Sequence, residues 1–270
     1  MPRVSVLLPS FNYAGYLEAA VNSVIQQSFK DWELIIIDDG SSDNSLEIAQ
    51  SYTRLDPRIR VASHENNQNL GLAKTYQLGL ALSEGELIAF LENDDELKPD
   101  SIAARVELLD KEPELSIVYS DAELRIGSGI PPERIHFYNE LTKWSRILAA
   151  DPLGRKEYPL VFLDQNVIFS FSVTMVRALH LKKVSFEVPL DFQCWLDRWL
   201  WGQLSVFGPV RYLDEKLTYW RLHENSFNHK TTPALTSEGK KNFRNSLKAL
   251  MYETAKIYSP PLAVAIKSIR

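Results

Sequence analysis

Leu87-Ile88-Ala89-Phe90-Leu91-Glu92-Asn93-Asp94-Asp95 joins an apolar run of strand type to three carboxylates within four positions. Like charges this close repel, so the cluster makes sense where a hard cation or several hydrogen-bond donors fill the space between them. Mg²⁺ is usually held by one or two carboxylates plus the phosphates of a substrate, and the stretch therefore reads as a strand end at a metal-nucleotide site. An acidic loop tip standing in water is the plain alternative.

A second stretch, Leu34-Ile35-Ile36-Ile37-Asp38-Asp39-Gly40-Ser41-Ser42-Asp43-Asn44-Ser45, repeats the pattern. Ser42, Asp43 or Asn44 can cap the helix that Leu46, Ile48 and Ala49 begin, and Gly40 can supply the turn. Capping leaves Asp38 and Asp39 unexplained at the strand end, where open α/β sheets bind ligands. Val4-Ser5-Val6-Leu7-Leu8-Pro9-Ser10-Phe11-Asn12-Tyr13 gives a third strand end, closed by Pro9, which has no N–H for a central ladder. Helical spacing of Leu17, Val21, Val24 and Ile25 follows, so the opening is a strand-helix-strand unit.

These segments, with Ser23-Val24-Ile25-Gln26-Gln27-Ser28-Phe29, Asn69-Leu70-Gly71-Leu72 and Pro99-Asp100 in the expected order, resemble family 2 glycosyltransferases of the GT-A fold from Val4 to about Tyr119. The resemblance implies inverting, non-processive transfer of a sugar from a nucleotide diphosphate sugar to a sugar or lipid-linked acceptor, in bacterial surface polysaccharide or glycan synthesis. It implies Mg²⁺ or Mn²⁺ as cofactor. Base or ribose recognition would fall mainly to Asp39, with Pro9 and Phe11 lining the pocket and Asp38 a structural neighbour. The family's Asp-x-Asp stands here as Glu92-Asn93-Asp94. The resemblance implies Asp94 as the first metal ligand, Glu92 and Asn93 on the nucleotide side, and Asp95 as a diphosphate contact or a support.

Tyr219-Trp220-Arg221-Leu222-His223 resembles a late Tyr-Arg-x-His segment with Trp220 inserted. It implies His223 as a metal ligand and Arg221 as a diphosphate contact or a support; alone, a single His is more often a surface or hydrogen-bonded core residue. Asp191, in Leu190-Asp191-Phe192-Gln193-Cys194-Trp195, matches the family's base, with Leu190 replacing a Glu and Trp195 on the acceptor side. Asp191 could instead cap a helix Phe192–Trp201. Asp197, six positions on, would face another side of that helix. Tyr76 stands where the family often has Arg. Gln193 with Arg198-Trp199 has the wrong spacing for the processive Gln-x-x-Arg-Trp motif.

Apolar runs at Val4–Leu8, Leu34–Ile37, Ile59–Ala62, Leu87–Leu91 and Ser116–Tyr119 alternate with helical patterns near Leu17–Gln26, Ser45–Tyr52, Leu72–Leu82 and Asp100–Lys111. The expected fold is α/β: a mainly parallel sheet with helices on both faces, then a mixed acceptor-side region and a C-terminal helix. Residues 1–120 read as the nucleotide-sugar half, 121–228 as the acceptor half with the base, and 229–270 as a helical extension. The acceptor half holds five of the six tryptophans, whose ordinary role is core packing. Its opening stretch Gly127–Pro132 reads as a loop.

A length of 270 residues suffices for one large domain or two fused ones. The net charge of −5 argues against a nucleic-acid partner, which calls for a basic face. Cys194 is the single cysteine, and no apolar run approaches the ~20 residues of a membrane span. The expected location is cytoplasmic, with peripheral attachment at the inner face of the cell membrane left open. Two other functions compete: a sugar nucleotidyltransferase, which should show a Gly-rich basic loop after the first strand, and a degenerate module that binds nucleotide sugar or glycan without turnover. Glu92, Leu190 and Tyr76 motivate the second.

Overall fold

The computed structural model describes residues 1–149, 158–164, 167–189, 194–224, 226 and 237–269. Strands β1 (Val4–Ser10), β2 (Trp32–Asp38), β3 (Ile59–Ser63), β4 (Leu87–Phe90), β5 (Glu96–Leu97), β6 (Ile117–Ile126), β7 (Thr174–Arg177) and β8 (Val210–Leu222) form one sheet in the order β3-β2-β1-β4-β7-β6-β8-β5. The first half is parallel throughout: β1 pairs with β2 and β4, and β2 with β3. β7 then runs antiparallel to both β4 and β6, whereas β6 and β8 are parallel. The expected α/β class, with a mostly parallel sheet, is what the chain adopts.

Helices cover both faces because alternate strand residues point opposite ways. Val6, Leu8, Leu34, Ile36 and Ala89 meet α1 (Ala14–Ile25), α2 (Ser45–Thr53) and α4 (Ser101–Lys111). Leu7, Ile35, Ile37, Ile88 and Phe90 face the other way, toward α3 (Leu72–Leu82). The same core continues under α5 (Pro132–Ala149), α6 (Tyr158–Asp164), α7 (Ala178–Leu181), α8 (Leu196–Leu204), α9 (Ser237–Tyr258) and α10 (Pro260–Ser268).

Four features depart from the sequence reading. β8 spans 13 residues where few periods were legible, since Asp214-Glu215-Lys216 interrupts its apolar pattern and its pairing with β6 shifts register around Asp121. The run from Ser116 extends to Ile126 because β8 supplies a long partner. The helix expected from Phe192 begins at Leu196, after a 3₁₀ turn at 194–195, so a helical wheel cannot relate Asp191 to Asp197. The expected C-terminal helix is longer than its apolar core and is followed by a second one opened by Pro260 and Pro261.

Candidate active site at the strand ends

β1 and β2 end side by side, with Ser10 opposite Asp38, and the turns beyond them are stitched together. Asn12, at φ 55°, accepts on its side-chain oxygen from the Ser42 and Asp43 N–H groups at 2.7 and 3.3 Å. The Ala14 N–H donates to Asp43 Oδ2 at 3.0 Å. Asp38 is fully buried, and its Oδ2 accepts from the N–H groups of Gly40 and Ser41, which shapes the turn. Gly40 has φ 77°, and a Cβ there would lie 2.7 Å from the Asn67 carbonyl oxygen, so only glycine lets loop 64–71 close on the strand end.

Asp39 organises that loop. Its Oδ1 accepts from Leu70 N–H at 2.8 Å and its Oδ2 from Gly71 N–H at 3.0 Å, while His64 Nε2 lies 3.4 Å from Oδ1. Both carboxylate oxygens are thus engaged by the chain itself, which sequence reasoning had no signal to show. Pro9 is buried within β1; Phe11 is 43% exposed just past its end.

Beyond β4 the acidic residues separate by direction. The Asn93 amide donates to Ser10 Oγ at 3.3 Å, tying the β4 and β1 ends together. Asp95 is buried, and its Oδ1 accepts the Arg221 N–H at 3.0 Å. Glu92 lines a cleft, its carboxylate accepts from Ser170 Oγ at 2.9 Å, and its backbone N–H donates to Ser172 Oγ at 2.9 Å. Burial first, then the Asp94 charge, push its carboxyl up to about 8. The same causes hold the Asp95 carboxyl well above its ordinary range.

β5 explains how the late segment arrives. Glu96 and Leu97 pair antiparallel with Tyr219 and Thr218, which lays the end of β8 against the acidic turn. His223 Nε2 consequently sits 3.0 Å from Asp94 Oδ2. Arg221 also lines the cleft; its Nε donates to the Asp94 carbonyl at 3.0 Å and its guanidinium pairs with Glu96 at 2.6 Å. It supports the acidic turn.

The cleft has a volume of about 640 Å³, open solvent included, and its walls comprise Glu92, Asp94, Tyr138, Phe169, Ser170, Asp197 and Trp220, among others. Trp220 stacks on Phe169 at 4.8 Å and meets Tyr138 edge-on at 4.7 Å. Trp195 is not part of this lining; it packs edge-on against Phe243 of α9. Asp191 lies outside the described residues. Asp197 does reach the cleft, at the start of α8, near enough for its charge to help raise Glu92. Tyr76 is wholly buried between Phe90 and Phe171, so it contributes core instead of a nucleotide contact.

A GT-A-type sheet with an acidic strand-end cleft defines a class of enzymes that handle nucleotide sugars, and comparison with known proteins agrees. The Glycosyl transferase family 2 profile matches residues 5–162, and the chain belongs to that family. It is a glycosyltransferase with relatives in bacterial polysaccharide synthesis. It is similar to an uncharacterized glycosyltransferase of Nostoc sp., 29% identical over 87% of this chain and 69% of that one. It is also similar to a putative teichuronic acid biosynthesis glycosyltransferase of Bacillus subtilis, 36% identical over 52% of this chain and 55% of that one. In fold it resembles S. aureus TarS in complex with UDP-GlcNAc, with a TM-score of 0.67 at 17% identity, covering 96% of this chain and 68% of that one. A Pyrobaculum calidifontis mannosyltransferase in complex with GDP-Man and Mn²⁺ has a TM-score of 0.61 at 15% identity, covering 100% of this chain and 76% of that one. Among the described residues no helix is long and apolar enough to cross a membrane.

Proposed function

We propose that the chain transfers a sugar from a nucleoside diphosphate to an acceptor hydroxyl with inversion, assisted by Mg²⁺ or Mn²⁺. The observation that carries this reading is the meeting of Asp94 and His223, from segments 129 residues apart, beside Glu92 on one cleft. Among the described residues no group of three or more His, Cys, Asp or Glu is set to hold a metal by itself. That fits a cation taking its remaining ligands from a diphosphate. The donor set also fits: the crowding of Glu92, Asp94 and Asp95 would be relieved by a cation, and among the described residues Asp95 Oδ2 and His223 Nδ1 are buried without hydrogen-bond partners. Asp94 and His223 would hold the ion, which supplies electrostatic stabilisation of the departing diphosphate.

The chain's own groups then divide the work. Phe11 and the loop organised by Asp39 receive the nucleotide, and the aromatic wall of Tyr138, Phe169 and Trp220 receives a sugar ring. The acceptor oxygen attacks the anomeric carbon opposite the diphosphate, whose C–O bond breaks with its electron pair leaving on the phosphate oxygen. Asp191 takes the acceptor proton. Its Asn variant keeps shape and capping ability but cannot accept that proton, so turnover should fall roughly 10²–10⁴-fold with nucleotide affinity and Tm retained. Transfer at the parental rate in Asp191→Asn, together with loss in Asp197→Asn, would move the base to Asp197. Nucleotide binding without release of nucleotide from any donor would leave a binding module.

A further inference from the structure

His223 raises a question of orientation. A histidine that serves a metal usually fixes its ring by donating the other nitrogen's hydrogen to a carboxylate or carbonyl. Here Nδ1 is buried and has no such partner among the described residues. An imidazole left to the broad torsion of its last bond would not keep Nε2 on Asp94. What touches the ring instead is aromatic. Tyr16 lies 4.6 Å away, tilted by 35°, and Tyr13 meets it edge-on at 5.3 Å and 79°. The two tyrosines are themselves in edge contact at 5.9 Å, and the Arg221 guanidinium covers Tyr16 at 5.1 Å. Tyr13 caps α1 at the turn from β1, which Asn12 and Asp43 stitch to the β2 end, and Tyr16 lies in the first turn of α1.

We infer that Tyr13 and Tyr16 are positioning residues for the metal-diphosphate site: their rings hold the His223 imidazole with Nε2 toward Asp94. Ring packing thereby replaces the missing hydrogen bond on Nδ1, and the β1–α1 turn becomes a condition for assembling a site whose ligands lie on β4 and β8. The inference rests on the proposed role of Asp94 and His223. It requires the rings and not the hydroxyl groups, so phenylalanine should serve where leucine does not.

The test measures Mn²⁺ affinity in the presence of UDP or GDP by electron paramagnetic resonance, together with the ring-current shift of the His223 imidazole protons in metal-free protein. Tyr16→Phe should retain both parental values. Tyr16→Leu should lose the ring-current displacement and weaken Mn²⁺ binding about tenfold or more, with its circular dichroism unchanged. If Tyr16→Leu does not fold, Tyr13→Leu decides by the same two readouts. Should the parent show no Mn²⁺ binding that Asp94→Ala and His223→Ala weaken, the functional reading falls and takes this inference with it. Should those two variants weaken binding while the leucine variants bind as the parent does, only the inference falls. A Tyr16→Phe variant as weak as Tyr16→Leu also overturns it, because the hydroxyl would then be the active part.

Discussion

Glu92 carries the most unusual chemistry of any single residue here. Its carboxyl, pushed up to about 8 by burial and by Asp94, binds a proton in the folded chain across a range where the unfolded chain does not. A group whose folded value is raised stabilises fully below its unfolded value and loses that contribution as pH rises through the folded one. In chelator, Tm should therefore fall between about pH 4.5 and about pH 8, with Glu92 adding at most one proton's slope of about 1.4 kcal/mol per pH unit. The cleft is open to water, which moderates the effect. Glu92→Gln should flatten that part of the Tm profile, and saturating Mn²⁺ should do so in the parent. A profile unchanged by the Gln substitution would show that Glu92 is ionised throughout.

Among elements, the joint between α1, β5 and α4 shows how the sequence secures the acidic turn. Gln27 is fully buried, and its amide donates to the Ser23 and Lys98 carbonyls at 2.9 and 2.8 Å while its Oε1 accepts from Ile102 N–H at 2.9 Å. Gln27→Ala leaves the Ile102 N–H without this partner, while the Lys98 C=O keeps the Ser101 N–H at 3.0 Å. The expected cost is about 1–3 kcal/mol for that unsatisfied group, measured by urea unfolding. Gly40→Ala belongs to this scale too. The added methyl meets the Asn67 carbonyl at a backbone angle that L residues avoid, so loop 64–71 must shift away from Asp39. Nucleoside diphosphate affinity, read by calorimetry, should drop at least several-fold; an unchanged value would remove that loop from the nucleotide site.

For the molecule as a whole, one sheet unites segments that the sequence separates. β7 inserts antiparallel between β4 and β6, and β8 returns alongside β6 to place His223 on the β4 turn. Ligand binding at such a junction should stabilise the entire fold. With Mn²⁺ and a cognate nucleoside diphosphate at about 100 times Kd, the gain is about 2.7 kcal/mol, or a Tm rise of a few degrees. Asp94→Ala should retain only the metal-independent part of that rise. Equal shifts in the variant and the parent, with and without chelator, would separate the metal from Asp94.

Local pattern alone determined the first half of the fold. Uninterrupted runs such as Leu34–Ile37 and Leu87–Phe90 must be buried on both faces, and helical spacing between them leaves parallel pairing as the simplest arrangement. The acidic strand ends were legible for the same reason, because carboxylates at Asp38, Asp39, Glu92, Asp94 and Asp95 have no cause to cluster in a core. Tertiary structure decided what each of them does. Asp39 and Asp95 are engaged by N–H groups that come from Leu70, Gly71 and Arg221, and no spacing rule encodes those partners. The neighbours of Arg221, Trp195 and Tyr76 are equally hidden along the chain: Arg221 pairs with Glu96, Trp195 packs on Phe243, and Tyr76, where the family often has Arg, fills core against Phe171. The pairing of Asp94 with His223 and the tyrosine rings around that imidazole arise only when β5 and β8 pair and the β1–α1 turn closes, which are long-range contacts invisible to local periodicity.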